Sequence, residues 1–508
     1  MASVDGPLPN DTITYAYDEL GRRVSTAING VAMRMTYDAA GRVVSETNAL
    51  GTFTFAYDGA SGRLLTNVFP NGLIVERVYG GNLEDRELQR ITHRIGATPI
   101  SEFLYGRDHL ANRITTWSQQ VAATPPSLHT FGYDAADQLL SATVTSSATL
   151  VNTFAYAYDS SGNRLTEQIG ASNSLATYNA LNQLSTTTAP GSTRTNEWDA
   201  KDRLVAVNTA DQRTEFRYDG MDRMVSIRQF TNGVEASFRR FVWCDNDICE
   251  ERDAGGAVRK RFFAEGMKVE SGPVTGSFFY TRDHLGSIRE LTDSGGNTRA
   301  RYAYDPYGRR TRLSGDADAD FAFAGMFWSF EAGLAVTHFR AYDPQLGRWL
   351  SRDPLRNAEI QEDPNLYAYV RNNPINAIDP LGLCCEEERS SLEALALHHG
   401  RFKELWDRQY VKCDAGIKTG STTQDDCDFI FFAGRQTMKS IEHEMKEAAE
   451  AYVKCLLKGC DKKPCAPGGP GGPGGPGGPL PAPHPDIPPV FNPITGETRI
   501  MIKARPGI

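Results

Sequence analysis

Hydrophobic and polar residues alternate over many short stretches of this chain. In residues 52–57, with the sequence TFTFAY, every second residue is aromatic. Alternation with a period of two is typical of a strand that buries one face. Gly, Asp and Asn, which favour tight turns, separate the alternating stretches. The pattern therefore predicts a mainly β fold that is built from many hairpins.

One short unit recurs along the chain at constant spacing: an aromatic residue, Asp, a small turn, Arg or Gln, and aliphatic residues. Twenty residues separate successive members of two runs, which contain Tyr17, Tyr37 and Tyr57, and then Tyr158, Tyr178, Trp198 and Tyr218. Twenty residues accommodate one hairpin, with two strands of roughly six to eight residues and two turns. Stacked hairpins make a long sheet, which has to curl because strands twist. The alternative is an ordinary β-sandwich in which the Tyr-Asp pairs are coincidental.

The unit Tyr-Asp followed by Gly-Arg resembles the YD repeats of Rhs proteins, insecticidal toxin-complex C components and teneurins. The resemblance spans about residues 12 to 383. It implies that stacked hairpins spiral into a hollow β-shell, and we assign residues 1–279 to this shell.

From Tyr280 onward the chain carries a different set of motifs. They are FRAYDPQLGRWLSRDP at 339–354, NLYAYVRNNP at 365–374 and DPLGL at 379–383. These motifs closely resemble the Rhs repeat-associated core, so residues 280–383 are predicted to form that domain. Its repeated Asp-Pro pairs fit rigid turns, because Pro restricts φ and Asp caps its own turn.

The closing motif resembles the self-cleavage boundary of the same family, in which two aspartates act as an aspartyl-protease-like pair. By position, Asp353 and Asp379 are the candidates, Asp363 is a lesser one, and the predicted scissile bond is Leu383–Cys384. Arg348 would hold one carboxylate ionised or bind the scissile carbonyl. Two adjacent carboxyls do not both ionise, so one acts as the acid while the other activates water. The alternative is that these aspartates are structural turn residues, since teneurins keep a related shell without this processing.

The segment after Leu383 has a different pattern. Apolar residues at helical spacing, such as Leu392, Leu395 and Phe402 and later Met438, Ile441 and Met445, predict an antiparallel helical hairpin within 384–466. A Gly/Pro-rich linker at 467–489, which we expect to be disordered, and a short tail at 490–508 follow.

Seven of the nine cysteines lie in this segment, and we expect disulfides among them, with a metal site as the rival interpretation. Two would lie at the loop end of the hairpin and five at the other end: Cys413 and Cys427, then Cys384, Cys385, Cys455, Cys460 and Cys465. Elsewhere, Cys244 and Cys249 flank a possible two-residue turn at Asn246-Asp247. They would form a cross-strand bridge or simply fill space.

Charge and motif content exclude several functions. The net charge of −9 offers no basic surface for nucleic acid or an anionic membrane. Residues 384–465 contain 13 Lys and Arg against 15 Asp and Glu, and no zinc-protease, Walker or nucleophile-elbow motif. We therefore expect no cofactor, no metal, no membrane span and at most an autoproteolytic activity.

Three hypotheses about function remain from the sequence. The first is a shell that encloses or presents its own C-terminal segment as cargo and releases it by self-cleavage as a toxin or effector, with a secretion apparatus or a cell-surface receptor as a further partner. The second is a non-cleaving interaction or adhesion scaffold that carries a disulfide-stapled display domain. Both would be secreted or displayed at the cell surface, although residues 1–10 do not form a signal peptide. The third is a gene remnant, and we expect a fragment or truncated gene because the repeats begin at once.

Overall fold

The computed structural model describes residues 3–82, 86–108, 113–122, 124–189, 194–354 and 365–382. Within these ranges the protein consists of two large antiparallel sheets, one small sheet and two short 3-10 turns. The prediction of a mainly β fold built from hairpins is confirmed.

The first sheet has 17 strands, and each pairs with its neighbours in the sequence. Alternating residues of these strands face the interior, as in β6, where Phe53 is buried and Thr52 and Thr54 are exposed. The strands are β1 (Ser3–Val4), β2 (Ile13–Tyr17), β3 (Arg23–Ile28), β4 (Val31–Tyr37), β5 (Val43–Asn48), β6 (Gly51–Tyr57), β7 (Leu64–Val68), β8 (Leu73–Tyr79), β9 (Leu88–Ile95), β10 (Thr98–Asp108), β11 (Arg113–Val121), β12 (Ser127–Tyr133), β13 (Leu139–Ser146), β14 (Thr149–Tyr158), β15 (Arg164–Ile169), β16 (Ser172–Tyr178) and β17 (Leu184–Thr187).

The second sheet is a 12-stranded meander of the same kind. Its strands are β18 (Thr195–Trp198), β19 (Leu204–Asn208), β20 (Gln212–Tyr218), β21 (Met224–Thr231), β22 (Val234–Cys244), β23 (Asp247–Arg252), β24 (Val258–Phe263), β25 (Gly266–Val269), β26 (Gly276–Arg282), β27 (Ile288–Asp293), β28 (Thr298–Tyr304) and β29 (Arg310–Gly315). The boundary drawn from the sequence at residue 280 lies inside β26. The sheet continues because the same Asp-centred turn recurs at Asp283 and Asp305.

The architecture changes after Gly315. A four-stranded sheet follows, with β30 (Phe327–Ser329), β31 (Leu334–Val336), β32 (Ala341–Asp343) and β33 (Arg348–Trp349). The 3-10 turns are Phe323–Gly325 and Val370–Asn372.

In most Tyr-Asp units the chain forms a tight turn in which the Asp side chain binds backbone amides, whereas at Asp58 the Ser61 hydroxyl accepts the bond from the Arg63 N–H instead. Asp18 Oδ1 accepts hydrogen bonds from the N–H groups of Leu20 at 3.0 Å and Arg22 at 2.9 Å. Its Oδ2 accepts a bond from Arg22 Nε at 2.7 Å. Gly21 completes the turn at φ +76°, a conformation that glycine adopts without the penalty of a Cβ. The motif is therefore a turn whose polar groups are satisfied locally.

The Arg of one unit also contacts the Tyr of the next unit. The guanidinium carbon of Arg22 lies 4.7 Å from the centroid of the Tyr37 ring, and the Tyr37 hydroxyl donates to the Arg23 carbonyl at 2.6 Å. Equivalent contacts join Arg42 to Tyr57 and Arg203 to Tyr218. The spacing of twenty residues thus corresponds to one hairpin, and in these three pairs one hairpin stabilises its successor through a cation–π contact and a hydrogen bond.

The inner faces of the two large sheets contact each other. Phe53 and Phe69 of the first sheet and Phe279 of the second have ring centroids 5.2 to 6.3 Å apart. Beside this cluster, Ser101 donates to Glu290 Oε2 across the sheets at 3.0 Å. Near Phe279, side chains of the two large sheets therefore pack directly against each other.

Candidate functional site

An aromatic cluster on the four-stranded sheet packs against residues 365–382, the segment that follows this sheet in the chain. Tyr342 of β32, Trp349 of β33 and Tyr369 have ring centroids 4.5 to 5.7 Å apart, and all three side chains are buried. We call residues 365–382 the strap. Trp349 N–H also donates to the Tyr367 carbonyl at 3.0 Å, so the strap runs beside β33.

Asparagines of the strap bind turns and strand ends of the first large sheet. Asn365 Nδ2 donates to Asn163 Oδ1 at 2.9 Å, and Asn372 Nδ2 donates to the Gly162 carbonyl at 2.7 Å. Asn376 Oδ1 accepts a bond from the backbone N–H of Ile114 at 2.7 Å. These bonds satisfy polar groups that docking of the strap buries.

The backbone of the strap is strained at one place. Val370, Arg371 and Asn372 have φ values of 43°, 53° and 60°, in the left-handed region that residues with a Cβ seldom occupy. Such strain persists where surrounding contacts hold the chain. The contacts of Asn372 and the burial of Val370 provide this hold.

The strap brings the two candidate aspartates together. Asp353 follows β33 and Asp379 lies near the end of the strap. The same nitrogen, Nη2 of Arg340, lies 2.9 Å from Asp353 Oδ2 and 3.0 Å from Asp379 Oδ2. All three side chains are buried, with exposed fractions of 5% for Arg340, 8% for Asp353 and 3% for Asp379. One guanidinium therefore links both carboxylates in a site with little access to water.

The end of the described strap lies against the loop before β32. Phe339 N–H donates to the Leu381 carbonyl at 3.3 Å, and Arg340 Nε donates to the Gly382 carbonyl at 2.6 Å. Gly382 has φ +76°, and a Cβ there would lie 2.6 Å from Thr337 Oγ1. Glycine is required at this position for two reasons, the conformation and the close approach.

Arg348 lies away from this pair of carboxylates. Its Nη2 donates to the Asn182 carbonyl at 2.7 Å, and its guanidinium lies over the rings of Tyr178 and Tyr367. Burial lowers the pKa of this guanidinium. The contacts with the carboxylates that we predicted for Arg348 belong to Arg340 instead. Asp363 and the predicted scissile bond Leu383–Cys384 lie outside the described residues.

Sequence reasoning missed Arg340 for a physical reason. Arg340, Arg348 and Arg352 all precede Asp353 within 13 residues, and nothing in their local sequence distinguishes them. The choice depends on the path by which the strap returns to the loop before β32. The only hint available in advance is that an arginine in the buried core of a domain needs acidic partners, which does not say which arginine is buried.

Cys244 and Cys249 form a cross-strand disulfide, with their Cα atoms 5.8 Å apart. Cys244 pairs with Asp247, so the two-residue turn is Asp245-Asn246, one residue earlier than predicted. A bulge opposite Val242 and Trp243 makes Cys249 the extra residue of its strand. The other cysteine predictions, the helical hairpin, the linker and the tail lie outside the described residues.

Two further properties concern the described residues alone. They contain no group of three or more His, Cys, Asp or Glu side chains that could hold a metal ion. No helix among them is long and apolar enough to span a membrane.

Comparison with protein families finds a match to the family described as Teneurin YD-shell, over residues 9–241 and 274–375. The tRNA nuclease WapA of Bacillus subtilis is 30% identical over 255 residues, which cover 45% of this chain and 11% of that protein. The double-stranded DNA deaminase toxin A of Burkholderia cenocepacia is 24% identical over 402 residues, 72% of this chain and 25% of that protein. The chain thus spans a quarter or less of the length of these relatives.

Among solved structures, the fold is similar to a crystal structure of TcdB2-TccC3. The TM-score is 0.62 at 22% sequence identity, and the match covers 73% of this chain and 22% of that one. At this identity the likeness concerns the fold.

Proposed function

Because the chain belongs to the teneurin YD-shell family of Rhs and YD-repeat proteins, we propose that it is the shell part of a toxin-carrying protein that cuts its own chain after Leu383. The relatives support the carrier role. A tRNA nuclease and a DNA deaminase toxin, proteins named for different activities, both resemble this chain. A shared shell with a variable effector explains this combination. Residues 384–508 are the segment that the shell presents.

One observation carries the proposed cleavage: Arg340 contacts Asp353, Asp379 and the Gly382 carbonyl at the same time. In an aspartyl-protease-like reaction, one carboxyl of such a pair acts as the acid and the other as the base.

The hydrolysis then needs water alone as co-reactant. The base takes a proton from water while the water oxygen bonds to the carbonyl carbon of Leu383. The acid gives its proton to the nitrogen of Cys384 as the C–N bond breaks. The products are a carboxylic acid at Leu383 and an amine at Cys384, and the acid then passes its proton to the amine. The ionised and protonated carboxyls exchange states, so the site needs no external acid.

The partners follow from this role. The cargo is the chain's own segment after Leu383, with a predicted helical hairpin and disulfides in 384–466. Delivery requires a secretion apparatus or a cell-surface receptor outside this chain. Because side chains of the two large sheets pack directly against each other near Phe279, we propose that this part of the shell presents the segment rather than surrounds it.

The intact mass of the purified protein tests the cleavage. We expect two wild-type fragments divided between Leu383 and Cys384, and one uncut chain for the double variant Asp353→Asn, Asp379→Asn. Asn keeps the size of each side chain but cannot exchange the proton. A single uncut wild-type chain, or a double variant that is cut at the same bond, would contradict the proposal.

The Cys244–Cys249 disulfide favours a second candidate function, a non-cleaving secreted or cell-surface interaction scaffold. Disulfides persist in oxidising compartments, where such scaffolds act. The same mass measurement separates the two functions, because the scaffold predicts an uncut chain. Thiol labelling before and after reduction would report whether this bridge forms in the purified protein.

A further inference from the structure

Arg340, in the loop before β32, contacts residues at both ends of the strap as well as both candidate aspartates. Its Nε donates to the Gly382 carbonyl at 2.6 Å, and its Nη1 donates to the Leu366 carbonyl at 3.3 Å. Its Nη2 contacts both aspartates, and its guanidinium carbon lies 4.4 Å from the centroid of Trp349. All three nitrogens of the Arg340 guanidinium therefore have partners. These are carbonyls near both ends of the strap and the carboxylates of both aspartates.

The position of the Gly382 carbonyl gives these contacts a consequence for the reaction. Gly382 immediately precedes Leu383, whose carbonyl carbon would be attacked. The planar guanidinium donates in fixed directions, so binding the Gly382 carbonyl and the two carboxylates together fixes their relative positions. A lysine ammonium, a single point charge on a flexible stem, cannot span the same set of oxygens.

We propose that Arg340 is the positioning residue of the self-cleavage reaction, a proposal that rests on the cleavage after Leu383 proposed above. Arg340 binds the Gly382 carbonyl, which lies one peptide before the bond proposed to be cut, so its role is to position that bond rather than to react with it. It holds the peptide that leads into Leu383 at a set distance from Asp353 and Asp379, so that the attacking water and the acid reach the same bond. Small displacements of reacting groups slow reactions by about 100-fold, which sets the size of the expected effect.

Arg252 provides a matched control for the loss of a buried arginine. It lies in β23, is 1% exposed, and its Nη2 contacts Glu250 Oε2 at 2.6 Å. Like Arg340 it also binds two backbone carbonyls, those of Pro9 and Asn10, at 2.8 and 2.6 Å. These partners belong to the large sheet and the N-terminal segment. Loss of Arg252 therefore removes a comparable set of buried contacts without touching the strap.

The test follows the rate of fragment formation after pulse-labelled cell-free translation. It compares the wild type with Arg340→Ala, Arg340→Lys, Arg252→Ala and the double variant Asp353→Asn, Asp379→Asn. The Arg340→Ala protein is also followed with millimolar methylguanidinium, which can occupy the space of the missing group. Thermal unfolding of each uncut chain reports whether it has folded.

We expect Arg340→Ala to be cut about 100-fold more slowly than the wild type, Arg340→Lys to be little better, and methylguanidinium to restore part of the rate. Arg252→Ala should lose stability and keep the wild-type rate. A folded Arg340→Ala protein cut at the wild-type rate would overturn the positioning role alone. The positioning role would also be overturned if Arg252→Ala slowed cleavage as much as Arg340→Ala and methylguanidinium failed to restore the rate of Arg340→Ala. An uncut wild type would contradict both the proposed function and this proposal. A cut wild type with an equally well cut Arg340→Ala variant would contradict this proposal alone.

Discussion

The Tyr-Asp turns and the strap both depend on carboxylates paired with arginine, but they join parts of the chain at very different separations. In the turn at Asp219, the carboxylate binds the backbone N–H groups of Met221 and Arg223 and the side chain of Arg223, all within four residues. In the strap, Asp379 meets Arg340 across 39 residues, and Asn376 meets Ile114 across 262. A local turn forms wherever its motif occurs, whereas the site exists only after both sheets and the strap are in place.

This difference has a consequence for function. A repeat unit can lose one contact and remain a hairpin, because its neighbours hold the same sheet. In the candidate site, by contrast, the single guanidinium of Arg340 contacts both aspartates. If the cleavage proposed above occurs, it would begin only once the shell has folded.

The largest effect should come from two glycines that share a backbone conformation and differ in surroundings. Gly382 and Gly21 both have φ +76°, but a Cβ on Gly21 meets nothing within 4 Å. We expect Gly382→Ala to slow cleavage by about 100-fold, because the clash with Thr337 displaces the strap end. Gly21→Ala should keep the wild-type rate and lose about 1 kcal/mol of stability from strain at positive φ. Fragment formation and urea unfolding measure the two effects, and equal cleavage rates would contradict the distinction.

The interior between the sheets should show a pH dependence that the outer turns lack. Burial, and then the nearby charge of Glu265, raise the pKa of Glu46 to about 7 despite a hydrogen bond from Asn48. The folded pKa lies above the unfolded one, so this group's contribution to stability is present below about pH 4.5 and is lost as pH rises through about 7.

We therefore expect Glu46→Gln to raise the free energy of unfolding at pH 8, by up to about 3 kcal/mol, and to change it little at pH 4. Urea unfolding at both pH values is the measurement. Glu76→Gln is the control, because Arg94 lowers the pKa of Glu76 and the effect should have the opposite sign. A Glu46→Gln variant with an unchanged pH profile would show that Glu46 does not titrate as a buried acid.

A smaller effect is expected where the strap docks. Asn376→Ala removes the acceptor for the buried N–H of Ile114 and the donor to Tyr133, which should cost about 1–3 kcal/mol. It should also slow cleavage, since the strap carries Asp379. Asn376→Asp keeps the acceptor and should retain more of both properties. Urea unfolding and fragment formation would test this, and a destabilised variant with undiminished cleavage would separate docking from the site.

The smallest effect is expected in the repeats. Asp219→Ala removes the acceptor for two turn amides and the partner of Arg223, yet these groups lie near solvent and can bind water. We expect a loss of about 1 kcal/mol and an unchanged cleavage rate. A loss as large as that of Asn376→Ala, measured by the same urea unfolding, would mean that single turns are as critical as strap contacts.

The disulfide hairpin shows how far local reasoning extends. The spacing of Cys244 and Cys249 around turn-forming residues allowed a cross-strand bridge, and the structure contains one. The turn is nevertheless at Asp245-Asn246, one residue before the predicted position, because Cys249 is the extra residue of a bulge. A one-residue bulge changes which side chains share a face, and alternation along one strand does not reveal it.

The hairpins, their period and the turn chemistry could be inferred from residue order, because each depends on contacts within about one repeat and the same chemistry recurs many times. The grouping of Asp353 with Asp379 could be inferred only through a family resemblance. The selection of Arg340 over Arg348, the docking of strap asparagines on the first sheet and the packing of the two large sheets near Phe279 depend on the path of the whole chain. Contacts between residues hundreds of positions apart leave no periodic trace in the sequence, since either partner is compatible with many neighbours until the sheets and the strap pack together.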